Sequence, residues 1–144
     1  MTRRLHGRIS LGLLFVAVAL AAYAIFVSSP ARAAGYVLFA AGSAMLVVGV
    51  FCTKCPEQGV RCAHGVPGML AERFLRRRTG PYTGWDYAAV ALAAVVILLL
   101  PQAWLVVRPG LFLVFWILVA AAAIEIRTCV CLACGNACCP LARR

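Results

Sequence analysis

The chain has 144 residues, 65% of them hydrophobic and 12% charged, with a mean hydropathy of +0.96. That is more apolar surface than a water-soluble domain of this length can bury. Its formal net charge is +10, yet no aromatic residues interleave with the arginines as a base-stacking platform would need, so nucleic acid is excluded as a partner and the charge points to membrane topology and lipid headgroups.

Met1 to Gly7 reads as a short basic lead-in, with His6 at headgroup level rather than a ligand. Four apolar runs follow, near residues 9–27, 34–51, 86–107 and 110–127, each close to the length needed to cross a membrane as a helix. The first follows Arg3, Arg4 and Arg8 as a signal peptide would. It is too long for one and lacks a small-residue cleavage site before Ser28-Ser29-Pro30, so it reads as a retained span. Tyr23 and Phe26 mark its outer interface. In the second run Gly35, Gly42 and Gly49 recur every seven residues, a stripe that suits close helix approach and that is also common in membrane helices generally.

The second span ends at Cys52-Thr-Lys-Cys55-Pro56, where proline forces a turn. The loop 52–85 then carries Cys62-Ala-His64 and a stretch, Met69 to Arg78, that predicts one amphipathic helix. Met69, Leu70, Phe74 and Leu75 would face lipid, while Arg73, Arg76, Arg77 and Arg78 would face phosphates or an acidic partner. Thr83 or Asp86 is the expected cap of the third span, with Trp85 at the interface. Pro101 is expected to kink or end that span, with Gln102 and Trp104 at the outer interface. Arg108-Pro109-Gly110 makes the outer turn, and Glu125 is the one acid near the interior of the fourth span. It reads as the partner of Arg127 or of a neighbouring helix, or as a proton- or quinone-handling group. The tail 128–144 is cysteine-rich.

Twelve of the fourteen basic residues lie before the first span, in the loop 52–85 or after the fourth span, leaving Arg32 and Arg108 in the two short turns. The positive-inside rule then predicts a multi-pass protein of the inner (cytoplasmic) membrane with both termini cytoplasmic. The fold class expected is all-α integral membrane with four transmembrane helices. A shift of 79 residues superposes Cys52-x-x-Cys55 on Cys131-x-x-Cys134, so the chain also reads as two tandem helical-hairpin repeats, each ending in a cysteine-rich turn.

All eight cysteines fall in two clusters at that end: Cys52, Cys55 and Cys62, then Cys129, Cys131, Cys134, Cys138 and Cys139. In the reducing cytoplasm such thiols favour metal or cluster binding over disulfides. Three partitions are open. Cys52, Cys55, Cys62 and His64 make a Cys3His set of the kind zinc takes, with a second centre in the tail. Alternatively Cys52, Cys55, Cys131 and Cys134 share one centre on the repeat axis, or the clusters form two all-cysteine sites. The proline after Cys55 and after Cys139 favours iron–sulfur ligation, of the 4Fe–4S type expected in such runs, with zinc the alternative cofactor.

The run Cys134-Gly-Asn-Ala-Cys138-Cys139-Pro140 resembles the Cys-Gly-x-x-Cys-Pro turn of the membrane polyferredoxin family that serves periplasmic nitrate and nitrous-oxide respiration. The extra cysteine, Cys129-x-Cys131 and Cys62-x-His64 depart from that pattern. The resemblance implies electron transfer. Together with the absence of a phosphate loop, a nucleophile–base pair or a haem Cys-x-x-Cys-His motif, it leads to the expectation of a non-catalytic subunit of a membrane redox complex. Such a subunit would relay electrons between a cytoplasmic partner and quinone. Zinc-stabilised structure and soft-metal-ion transport are the rival functions.

Overall fold

The computed structural model describes residues 2–55 and 62–131. The chain is an all-helical, multi-pass membrane protein with four spans: 3–26, 30–54, 84–105 and 109–131. Between 11% and 28% of each span's most apolar window is buried inside the molecule. The large side chains left outside include Phe15 and Leu38, both 75% exposed, and Val107 at 78%. Water would not tolerate such a surface and lipid does.

Helix α1 (Arg3–Phe26) absorbs the basic lead-in, because nothing before Ser28 interrupts helical hydrogen bonding. Only three residues separate it from α2 (Pro30–Val50). Ser29 caps α2 by accepting a hydrogen bond from the Arg32 N–H at 3.4 Å, and Pro30 supplies the fixed φ of a first helical residue. A 3₁₀ turn, Cys52–Lys54, extends the second span. α3 (Val66–Phe74) follows, then α4 (Gly84–Leu99), the single turn α5 (Gln102–Leu105) and α6 (Pro109–Glu125). Thr83 and Asp86 together form a capping box on α4, so both candidate caps act at once. Pro101 ends α4, and the chain resumes as α5.

The expected amphipathic helix is displaced and shortened. α3 begins at Val66, with Pro67 in its first turn, and stops at Phe74. Leu75 is extended (φ −122°, ψ 139°), and the three arginines after it lie outside the helix. A continued helix would set Arg76 and Arg77 three and four residues after Arg73, where like charges repel, and the Arg78 N–H instead donates to the Thr53 carbonyl at 3.1 Å.

The packing order is α6 against α1, α1 against α2, and α2 against α4, while α6 also meets the short α5. The stripe that permits close approach lies on α1: Gly7, Ser10, Ala17, Ala21 and Ala24 are all buried. Such small residues let backbones approach where no hydrophobic effect drives association. Phe115 from α6, Tyr36 from α2 and Leu105 from α5 fill the core beside them. The glycine stripe of α2 does not serve this purpose. A Cβ added at Gly35, Gly42 or Gly49 would meet nothing within 4 Å, because α2 turns Ala33, Tyr36, Ala40 and Ser43 inward instead.

Candidate metal centre

At the end of the bundle that carries the N-terminus, the chain reverses through two cysteine-bearing segments. The first is the 3₁₀ turn after α2. Cys52 begins it, Cys55 closes it, and the Cys55 N–H donates to the Cys52 carbonyl at 3.2 Å. Three contacts strap the segment before α4 onto this turn. Lys54 Nζ reaches Asp86 Oδ2 at 2.5 Å and the Pro81 carbonyl at 3.3 Å. Tyr82 donates its hydroxyl to the Phe51 carbonyl at 3.2 Å and stacks on the Phe51 ring at 4.5 Å. The Arg78 backbone bond is the third. Asp86 therefore serves twice, as Lys54's counter-ion and as half of the α4 cap.

Cys62 and His64 lie in the turn that leads into α3. This turn needs Gly65, whose φ of +69° is costly for residues with a side chain. Cys52 lies near both Cys55 and Cys62, so the three thiols are neighbours. Burial pushes the His64 pKa below the ordinary histidine value, and the Arg3 charge adds to the shift. Its imidazole is thus kept neutral, which is the ligating form.

The second segment is a π-helical turn, Ile126–Cys131, continuing α6. Such wide turns are rare and concentrate at functional sites. Cys129 is half-buried within it and Cys131 is 9% exposed. No disulfide joins Cys52, Cys55, Cys62, Cys129 and Cys131, the cysteines among the described residues. Cys134, Cys138 and Cys139 lie outside the described residues.

The Cys62–Gly65 turn and the π-helical end of α6 meet α1 at adjacent positions. Gly7 is in such close backbone contact with Ala63 that an added Cβ would overlap the Ala63 carbonyl. One residue earlier, His6 Nδ1 lies 2.7 Å from Glu125 Oε2 at the end of α6. The first turns of α1 thus touch the Cys62–Gly65 turn through Gly7 and the end of α6 through His6.

Of the two partners open to Glu125, Arg127 and a neighbouring helix, the structure gives the helix: its carboxylate meets His6, the residue expected at headgroup level. The Cys129 sulfur joins them: the ligand atoms of His6, Glu125 and Cys129 all lie within 4.8 Å of one another, the one such convergence among the described residues. Cys52, Cys55, Cys62 and His64 are gathered less tightly, so a mononuclear Cys3His site would require them to close further. Glu125 and Cys129 share a helix side through their four-residue spacing, which the sequence does contain. Nothing in it pairs His6 with a residue 119 positions away. No protein-family model, curated protein or solved structure matches this chain.

Proposed function

We propose that this protein is an electron-transfer subunit of the inner (cytoplasmic) membrane, with its cysteine-bearing end in the cytoplasm. It relays electrons between a cytoplasmic redox partner and the quinone pool. The observation that carries this reading is the meeting of the Cys62–Gly65 turn and the cysteine-bearing π-helical turn at the first turns of α1, with Cys52 and Cys55 near Cys62 at the same end of the spans. Donor chemistry fits an iron–sulfur group: Cys52, Cys55 and Cys62 are neighbours, Cys131 is a free thiol in the π-helical turn that packs on α1, and Cys134, Cys138 and Cys139 follow in sequence. Bound there, such a group supplies a one-electron carrier.

The chain's own residues tune and present that site. Arg3 lies near His64, and Arg8 approaches Gly65, so cationic charge offsets that of the thiolates and favours a reduced centre. Arg73, Arg76, Arg77 and Arg78 are all exposed beside the same end, which suits docking of an acidic electron carrier. The twelve-to-two division of basic residues supports the orientation. In anaerobic proteoliposomes, a quinol analogue is expected to bleach the visible absorption of the wild-type centre, and Cys52→Ser is expected to lose the response. Protein with a full complement of iron that is inert to quinol would refute the relay.

A second reading, a zinc-stabilised accessory subunit, draws on three neighbouring thiols, Cys52, Cys55 and Cys62, with His64 in the same turn as Cys62. It predicts stoichiometric zinc in place of iron and sulfide.

A further inference from the structure

Glu125 is the only carboxylate of the fourth span, and it sits between an imidazole and a thiol. We propose that His6, Glu125 and Cys129 form a mononuclear site for a divalent transition-metal ion of the zinc class, separate from the other cysteines. This goes beyond the electron-relay reading and does not depend on it.

The donor set selects the ion. One imidazole, one carboxylate and one thiolate are the nitrogen, oxygen and sulfur ligands that zinc accepts together. Calcium and magnesium want oxygen alone, and iron–sulfur clusters want thiolates. Two anionic donors also balance a 2+ charge. Tetrahedral zinc with bonds of about 2.0–2.3 Å spaces its ligand atoms by roughly 3.3–3.8 Å. The sulfur, within 4.8 Å of both partners, therefore approaches by at most about 1 Å, while the His6–Glu125 pair, at 2.7 Å, opens by about 0.6 Å. Ordinary side-chain adjustment covers both movements.

The framework is already in place. His6 comes from the start of α1 and Glu125 from the end of α6, and these two helices pack along their lengths. The π-helical turn fixes Cys129, whose sulfur lies 3.4 Å from Thr128 Oγ1, while that hydroxyl donates to the Ile124 carbonyl at 2.7 Å. The His6 and Glu125 side chains are 19% and 28% exposed, sheltered yet reachable from solvent. On loading, His6 ligates as a neutral imidazole through Nδ1 with its one ring proton on Nε2, Glu125 ligates as the carboxylate, and the Cys129 thiol proton leaves to solvent. Three protein donors leave a fourth position for water or an incoming ligand.

The test uses the full chain in detergent, stripped of metal and titrated with Co2+, whose thiolate charge-transfer and ligand-field bands report bound ions. His6→Gln, Glu125→Gln and Cys129→Ser are compared with wild type, with helix content by circular dichroism as the folding control. Glu125→Gln keeps the contact to His6 while removing the anionic donor, and Cys129→Ser is nearly isosteric, so both are expected to stay folded. Each variant is expected to bind one cobalt ion fewer per chain. Iron measured on anaerobically purified samples should match wild type, which keeps this result distinct from the cluster question. Unchanged cobalt stoichiometry in all three variants would make His6–Glu125 an interhelical hydrogen bond only. Loss in Cys129→Ser alone would place the ion among the cysteines, and either result overturns the proposal.

Discussion

Substituting Gly7 with alanine probes the contact on which the arrangement of the thiols depends. The added Cβ would lie 2.7 Å from the Ala63 carbonyl carbon and 3.1 Å from the His64 nitrogen, besides overlapping the carbonyl oxygen. These are backbone atoms, so no side chain can swing aside. Comfortable carbon–carbon contact begins near 3.5 Å, so the Cys62–Gly65 turn must retreat by about 1 Å. Overpacking of this kind costs about 1–3 kcal/mol. The turn's backbone bonds among the described residues are local, including Gly65 N–H to the Cys62 carbonyl and Val66 N–H to that of His64. It is therefore expected to lift from α1 while the helices stay packed. A shift of that size in the docking equilibrium raises the exposed population by roughly five- to a hundredfold. Alkylation of Cys62, followed by peptide mass spectrometry, should accelerate within that range, with helix content unchanged. Gly7→Ala with wild-type alkylation kinetics at Cys62 would refute the reasoning.

Other sites test the packing, the strap and the orientation. Ala21→Leu, in the fully buried stripe of α1, is expected to cost about 1–3 kcal/mol in thermal unfolding in detergent. Gly42→Leu, whose side chain would enter open space, is expected to stay within about 0.5 kcal/mol of wild type. Asp86→Asn removes the Lys54 counter-ion and half of the α4 cap together. Tryptic cleavage after Arg76, Arg77 and Arg78 should then quicken; an unchanged digest would mean that the strap does not depend on the ion pair. An impermeant thiol reagent applied to intact cells is expected to leave every cysteine unmodified, and prompt labelling would reverse the orientation.

The spans were legible because their signals are local. Apolar runs of membrane length, the Ser29-Pro30 start of α2, the Thr83–Asp86 cap and the break at Pro101 each lie within a few adjacent residues. What escaped depends on contacts between distant ones. Gly35, Gly42 and Gly49 look like a packing stripe, yet which side of α2 faces the core is decided by Tyr36 and its neighbours meeting α1 and α4. Gly7 looks like part of a basic leader until Ala63 is seen against it. His6 carries no sign in the sequence of its partner Glu125. The extent of α3 turned on charge: three consecutive arginines continue an amphipathic pattern on paper, but they leave the helix, and Arg78 finds a partner in Thr53.

The measurement that bears most directly on the central claim is metal and sulfide analysis of protein purified under strict anaerobiosis, joined to low-temperature EPR before and after reduction. The account predicts iron and acid-labile sulfide in stoichiometric amounts, with the EPR signal of a reduced iron–sulfur cluster that disappears on exposure to air. Stoichiometric zinc at the cysteines, with neither iron nor sulfide, would contradict it.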